Sequence, residues 1–376
     1  MRIAVNTRLL LPGKLDGIGW FTYHTLSRIT KMHPDVEFLF FFDRKWSTEF
    51  VFGPNVTPVN LFPQARHPFL FYLWFEWAIP AALKKYKADI FLSPDGYLSL
   101  STDIPQIAVI HDLNFEHYPE DLPFLSRNYY RYYFPKFARK AARIATVSQF
   151  SRKDIESKYS ISPEKIDVVY NGVNEKFIPV SRDAKKSIQD KYAEGKPFFL
   201  FVGMLHQRKN IAVLLKAYEQ FRKKSNHQIN LILVGHKKWW TREMESVFSE
   251  MTYKKDVIFL GRLPIEELVQ ITGSAHALLY VSTFEGFGVP ILEAMRCGVP
   301  VITSNVTSMP EVSGNAALLI DPFDINSITD AMVKVSSDEA YAANLAALGP
   351  EQSNRFSWDL TSGMLWECIK KVKLLK

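Results

Sequence analysis

Short apolar runs separated by longer amphipathic stretches recur along this 376-residue chain, and the series starts over once. The first half carries RIAVN (2–6), VEFLFFF (36–42), ADIFL (88–92), QIAVI (106–110), RIATV (143–147) and KIDVVY (165–170). Helical patterns such as WFTYHTLSRI (20–29) and FPKFARKAAR (134–143) lie between them. After the polar stretch 174–186 a second series follows: PFFLFVG (197–203), INLILVG (229–235), DVIFLG (256–261), HALLYVS (276–282), PVITS (300–304) and AALLI (316–320). Continuous apolar runs of strand length alternating with helices imply a parallel sheet covered on both faces. The fold class is therefore α/β, with two Rossmann-like doubly wound domains. We expect an N-terminal domain over 1–182, a C-terminal domain over 183–354, and an amphipathic helix within 355–376 that packs back on the first domain. Two sheets facing each other would leave a cleft at their strand ends, where open parallel sheets bind ligands.

Composition narrows the function. Hydrophobic residues make up 47% of the chain, enough for sizeable cores. The net charge of +7 is spread along the sequence, which fits an anionic small ligand or an anionic membrane surface better than nucleic acid. Cys297 and Cys368 are the two cysteines, and no Cys/His spacing suggests a metal centre. No apolar run reaches the length of a membrane span and no signal peptide is evident, so the expected location is cytoplasmic.

The stretch STFEGFGVPILEAMRCGVPVITS, residues 282–304, holds the most chemistry. It follows a strand, turns through Gly286 and Gly288, and opens a helix at Pro290, a residue suited to the first turn. On one continuous helix Glu285 and Glu293 would stand about 12 Å apart along the axis. A glycine turn between them instead lets both acids face one ligand. The amides of Phe287, Gly288 and Val289 at the helix start suit a phosphate. Two carboxylates beside a phosphate make sense where they accept hydrogen bonds from sugar hydroxyls, the layout of a nucleotide-diphosphate sugar. A plain strand-to-helix turn with an acid near the helix dipole is the bland alternative.

This stretch resembles the E-x7-E signature of retaining GT-B glycosyltransferases, specifically glycosyltransferase family four (group 1). FVGMLHQRKNIAVLLKAY, NLILVG, VIFLGRLPIEEL, SMPEV, IHDLNFEHYPE, TVSQFSRKDI and VVYNGVN match the same family in its order, over nearly the whole chain. The resemblance implies that the C-terminal domain holds the nucleotide sugar and the N-terminal domain the acceptor. It assigns Glu293 to the ribose hydroxyls, and Glu285 to the transferred sugar with the turn amides beside it. Arg208 and Lys209 would clamp the diphosphate and stabilise charge on the leaving group; alone, the pair reads more readily as solvated charges capping the next helix. Many relatives carry a further basic residue where Met204 stands.

In the first domain, LDGIGWFTYHTL superficially imitates a dinucleotide fingerprint. Gly17 and Gly19 come too far beyond the first strand for that, and Thr22 replaces the third glycine. The resemblance places Gly17 and Gly19 toward the donor phosphates, and His111 near the reacting sugar. Asp112 either orients His111 or caps a turn. No Asp-x-Asp pair occurs, so the expectation is metal-independent transfer without a cofactor, with side-chain cations in the metal's electrostatic role.

The sequence form resembles bacterial mannosyl- and rhamnosyltransferases. GDP-mannose is the first expectation for the donor, and a saccharide or lipid-linked molecule in surface polysaccharide (lipopolysaccharide) assembly for the acceptor. Base selection is expected at main chain near Gly235 and Leu263. A nucleotide-sugar epimerase and a non-catalytic nucleotide-sugar-binding scaffold are the alternatives; a dehydrogenase is disfavoured by the misplaced glycines. Two aromatic-basic stretches, HPFLFYLWFEWAIPAALKKYK (67–87) and NYYRYYFPKFARKAARI (128–144), read either as buried core or as a peripheral membrane contact. Oligomeric state is not legible.

Overall fold

A computed structural model describes residues 1–373 and divides the chain into two compact units. Met1–Gly172 and the chain from Trp358 onward form the first; Val173–Ser357 form the second. The divisions thus fall at 172/173 and 357/358, against 182/183 and 354/355 expected from composition. Packing explains the shift. The Val173 amide donates to Phe356 O at 3.4 Å. The position of a Cβ on Gly273 lies 2.7 Å from Val180 Cγ1, so Val180 sits directly on the helix Ile265–Ser274. The polar stretch after 173 is anchored to the second unit by its few apolar residues.

The first unit is built on a seven-stranded parallel sheet. Its strands are β1 (Arg2–Asn6), β2 (Glu37–Phe42), β3 (Val56–Asn60), β4 (Ile90–Ser93), β5 (Gln106–Val109), β6 (Arg143–Thr146) and β7 (Ile166–Val168), in the order β3-β2-β1-β4-β5-β6-β7. Six correspond to the apolar runs. β3 was not anticipated because its sequence, VTPVN, contains Pro58, which cannot donate to a ladder; the strand is at the sheet edge, where proline is tolerated.

The two aromatic-basic stretches divide between the readings. Trp74, Phe75, Ile79, Tyr129, Phe134 and Phe137 are core. Phe69, Trp77, Phe124, Leu125 and Tyr132 are exposed. A π-helical turn at Trp74–Ala78 carries Glu76 inward, where its carboxylate accepts from the Leu100 amide at 2.9 Å and from Ser101 Oγ. The helix Trp358–Lys373 lies along Gly17–Met32: Trp358 stacks on His24 at 4.6 Å, Trp366 on His33 at 3.7 Å, and Arg28 Nε meets Asp359 at 2.6 Å.

The second unit has six parallel strands, β8 (Phe198–Val202), β9 (Asn230–Val234), β10 (Val257–Gly261), β11 (Ala277–Tyr280), β12 (Val301–Ser304) and β13 (Leu318–Ile320), in the order β10-β9-β8-β11-β12-β13. Phe199, Phe201, Leu231, Leu233, Leu279 and Ile302 are fully or almost fully buried in its core. Each unit is thus a doubly wound α/β sheet whose winding reverses once, between β1 and β4 in the first and between β8 and β11 in the second. Helices leave opposite faces on either side of such a reversal, so the loops after those two strands part and leave a crevice.

Candidate functional site

At the reversal of the second sheet, the loops after β8 and β11 bring together three residues that stand 76 to 77 positions apart. After β8 the chain makes a single 3-10 turn, Gln207–Lys209, and enters the helix Ile211–Lys224 through Asn210 at φ +62°, a left-handed conformation that asparagine tolerates. His206 Nδ1 accepts from the Arg208 amide at 3.1 Å. Asn210 Nδ2 donates to Val281 O at 3.1 Å and Pro322 O at 2.7 Å, and the Thr283 amide donates to Arg208 O at 3.0 Å. These bonds fix the basic turn against the neighbouring loop. Asn210 was not singled out from the sequence.

Arg208 and Lys209 both reach Glu285. Arg208 Nη1 donates to Phe284 O at 2.8 Å and to Glu285 Oε2 at 3.2 Å. Lys209 Nζ donates to Glu285 Oε1 and to the Tyr280 hydroxyl at 2.9 Å. Glu285 is only 6% exposed. Burial alone would raise its carboxyl, but Lys209 and Arg208 overcome that and hold it down at about 2. Two cations share one anion, leaving one net positive charge in a shielded crevice. The sequence reading gave Glu285 to ligand hydroxyls; in this structure its partners are the two cations.

The turn itself is braced from the segment after β12. The Glu285 amide donates to Thr307 Oγ1 at 3.3 Å, and Ser308 Oγ donates to Glu285 O at 3.0 Å and Phe287 O at 2.9 Å. Phe287 is buried with its ring edge-on to Phe356. Gly288 has φ +110°, and a Cβ there would meet Ile291 Cδ1 at 3.0 Å, so glycine is required. The amides of Gly288 and Val289, at the start of the helix Val289–Arg296, have no acceptor among the described residues. Tyr280, Thr307 and Ser308 escaped the sequence reading. Tyr280 ends a strand as an ordinary core aromatic, and the two hydroxyls act through main chain, which leaves no side-chain pattern.

Glu293 lies one helix turn further in, half-buried. Among the described residues its carboxylate has no hydrogen-bond or ion-pair partner, and burial pushes it up to about 7. One acid of the pair is saturated with cations; the other is half-buried without one.

The first unit holds the remaining candidates. His111 follows β5, its ring edge-on to Phe21 at 5.0 Å and its Nε2 2.9 Å from Pro94 O. A carbonyl only accepts, so Nε2 carries the proton and Nδ1 is the acceptor nitrogen. Burial lowers the ring's pKa, keeping it neutral at pH 7. Asp112 caps a turn: its Oδ1 accepts from the Asn114 amide at 3.0 Å. Gly17 and Gly19 open the helix Gly17–Met32. The Gly19 amide is capped by Asp16 Oδ1 at 2.9 Å, and a Cβ on Gly19 would meet Leu15, Leu9 and Asp16 atoms at 3.1–3.3 Å. Close packing against its own loop thus accounts for Gly19, whereas Gly17 has open surroundings.

The crevice of the second unit can neutralise a multiply charged anion through Arg208 and Lys209 and accept hydrogen bonds from hydroxyls at Glu293. Residues 15–177 match the family model described as Glycosyltransferase Family 4, and residues 183–352 the model described as Glycosyl transferases group 1. The chain is 32% identical over 279 residues to O-antigen chain mannosyltransferase B of Escherichia coli, covering 74% of this chain and 73% of that one. It is 28% identical over 283 residues to O-antigen chain mannosyltransferase RfbU of Salmonella typhimurium, covering 75% of each. In fold it is similar to sucrose-phosphate synthase from Thermosynechococcus elongatus, with a TM-score of 0.77 at 18% identity over 100% of both chains.

Proposed function

The chain belongs to the group 1, family 4 glycosyltransferases, and from that premise we propose that it moves a mannosyl group from GDP-mannose to a saccharide or lipid-linked acceptor in surface polysaccharide assembly, with retention at the anomeric carbon and without a metal. The mannose reading is supported by its similarity to the two O-antigen chain mannosyltransferases. The single observation that carries the chemistry is the shielded Arg208–Glu285–Lys209 cluster at the reversal of the second sheet.

In this reading the anomeric carbon–oxygen bond to the diphosphate breaks, and Arg208 and Lys209 stabilise the charge that collects on the departing phosphate oxygens. The acceptor hydroxyl attacks from the face the diphosphate leaves, and its proton passes to the leaving phosphate oxygen. Glu285 keeps the two cations parallel and close, and accepts from the sugar with its remaining lone pairs. The free amides of Gly288 and Val289 add donors for the diphosphate. His111, in the first unit, is by itself a neutral imidazole of a kind suited to a sugar hydroxyl. The exposed Phe69, Trp77, Phe124, Leu125 and Tyr132 of the first unit suit the interface of an anionic bilayer. No helix among the described residues is long and apolar enough to cross a membrane.

Incubating the purified chain with a panel of nucleotide sugars and lipid-linked acceptors tests the proposal. The expected result is transfer from GDP-mannose, undiminished by a chelator, with an α-linked product by NMR. An inverted product, or release of sugar only to water, would overturn it. Flotation with anionic vesicles at low salt tests the membrane contact, and vesicles that leave the protein behind would remove it.

Glu293 adds a pH signature. Ribose hydroxyls donate to a carboxylate but find a protonated acid below about 7. Donor binding must therefore strengthen as pH rises through that value, by about tenfold between about pH 6 and 8. Glu293→Gln should flatten the dependence of donor KM on pH and leave affinity low throughout. A variant with the wild-type pH profile would exclude this role.

A further inference from the structure

Tyr280 is the last residue of β11 and is buried, with 2% of its surface exposed. Its ring lies parallel to that of Phe201 in β8, 6.5 Å away at 16°, and its Cε1 comes within 3.5 Å of where a Cβ on Gly288 would stand. Its carbonyl accepts from Thr303 Oγ1 at 2.8 Å, across the register that pairs β11 with β12. A phenylalanine would satisfy every one of these contacts. The hydroxyl is therefore the part of Tyr280 that packing does not account for, and a buried hydroxyl is costly unless it is hydrogen-bonded.

That hydroxyl stands between two charged groups. Lys209 Nζ donates to it at 2.9 Å. Its own proton goes to the Glu285 carboxylate, and burial holds the phenol well above its ordinary pKa, so the proton stays on. Lys209 also donates to Glu285 Oε1. The three groups close a ring: ammonium to hydroxyl, hydroxyl to carboxylate, ammonium to carboxylate. A lysine gains more from such a ring than an arginine does. The guanidinium of Arg208 is a planar fork with fixed N–H directions, whereas an ammonium is a point charge on a flexible stem, able to swing and to spin. A single anchor lets such a group pivot. Glu285 and the Tyr280 hydroxyl give Lys209 two, one on the strand end and one on the turn that follows it.

We propose that Tyr280 is a positioning residue for sugar transfer: its hydroxyl holds the Lys209 ammonium in the place and orientation where charge develops on the leaving diphosphate. The inference rests on the reading of Lys209 as a stabiliser of that charge, and it deepens that reading by naming what aims the lysine. Preorganised charge favours the transition state because it need not move when the new charge appears. Losing the second anchor therefore lowers kcat. A bound donor is charged throughout, so it still draws a loosened ammonium to itself and keeps its affinity.

A double-mutant cycle of Tyr280→Phe and Lys209→Met in the full chain, read by kinetics with varied donor, tests this, together with calorimetric titration of inorganic pyrophosphate into wild type and Tyr280→Phe. Phenylalanine keeps the packing, so that variant should unfold within about 4 °C of the wild type, the shift for one lost hydrogen bond in a unit of this size. The expected result is a fall in kcat of about tenfold, with donor KM and pyrophosphate affinity changed by less than about twofold. Adding Tyr280→Phe to Lys209→Met should cost nothing further, because the hydroxyl acts through the lysine. An equal fall on both backgrounds would overturn the proposal, since the hydroxyl would then act without Lys209. So would a wild-type kcat in Tyr280→Phe, or a KM that rises while kcat stands. In each of those cases Lys209→Met alone still reports on the diphosphate reading. Transfer by Lys209→Met at the wild-type rate would overturn that reading, and the role of Tyr280 with it.

Discussion

Lys209→Met should lower the kcat of sugar transfer by about 10²- to 10³-fold, the loss typical of removing one preorganised charge stabiliser from a shielded site. The side chain is 12% exposed and its ammonium already spends its hydrogen bonds on Glu285 and Tyr280. It therefore needs no reorganisation when charge arrives on the leaving diphosphate. On the proposed mechanism donor KM should change much less, because Arg208 and the amides of Gly288 and Val289 would still meet a diphosphate in the ground state. Arg208→Lys should also be damaging, since Nη1 serves Phe284 O and Glu285 together and an ammonium on a shorter stem cannot reproduce that fork. Steady-state kinetics with varied donor separates the outcomes. A raised KM at unchanged kcat would mean that the cations bind substrate and transition state equally and do not catalyse.

How much of this was legible beforehand follows from what kind of signal each part leaves. Central strands are continuous apolar runs, so β1 can be read residue for residue and β8 and β9 to within one residue at each end. β3 could not, because an edge strand needs no such run and admits Pro58. The glutamates, the basic pair and the glycine turn are side-chain chemistry at fixed spacing, and the fold does bring Arg208, Lys209 and Glu285 together. What the spacing could not tell is who pairs with whom. The cations look like ligand-binding groups in a sequence and turn out to be bound to Glu285 first. Likewise the resemblance points Gly19 toward donor phosphates, and what the sequence does not reveal is that Asp16, three residues earlier, caps its amide. The bracing of the turn by Thr307 and Ser308 goes through carbonyls and an amide, which no residue pattern reveals. Domain limits drifted for a related reason. A polar linker reads as a boundary, but Val173 and Val180 decide which unit it joins.

That first partnership leads to the second large effect, at Glu285→Gln. Removing the carboxylate leaves two cations facing each other in a crevice where they are only 18% and 12% exposed. Breaking a fully buried pair this way costs about 3–5 kcal/mol; partial exposure here brings the expectation to about 2–4 kcal/mol. For a unit of this size that is a fall in Tm of roughly 5–15 °C. The depressed carboxyl gives the pH dependence its sign. A group that ionises at about 2 in the folded chain contributes stability that is present above the ordinary carboxylate range and lost as pH falls toward 2. The gap between wild type and variant should therefore be widest near neutrality and close under acid. Diphosphate should restore what glutamine removes, because its oxygens take up the charge that Glu285 had balanced. Saturating GDP, at about a hundredfold its Kd, adds about 2.7 kcal/mol to any protein that binds it only when folded. At one and the same GDP concentration the variant should gain more than the wild type, since in the wild type the ligand must share both cations with a carboxylate. Tighter GDP binding joined to a kcat reduced by orders of magnitude would mark Glu285 as a group that holds the cations ready for the transition state at the expense of ground-state affinity. A variant that melts like the wild type, with GDP affinity unchanged, would mean the three charges are hydrated independently, and the cluster could then not be the origin of the catalysis.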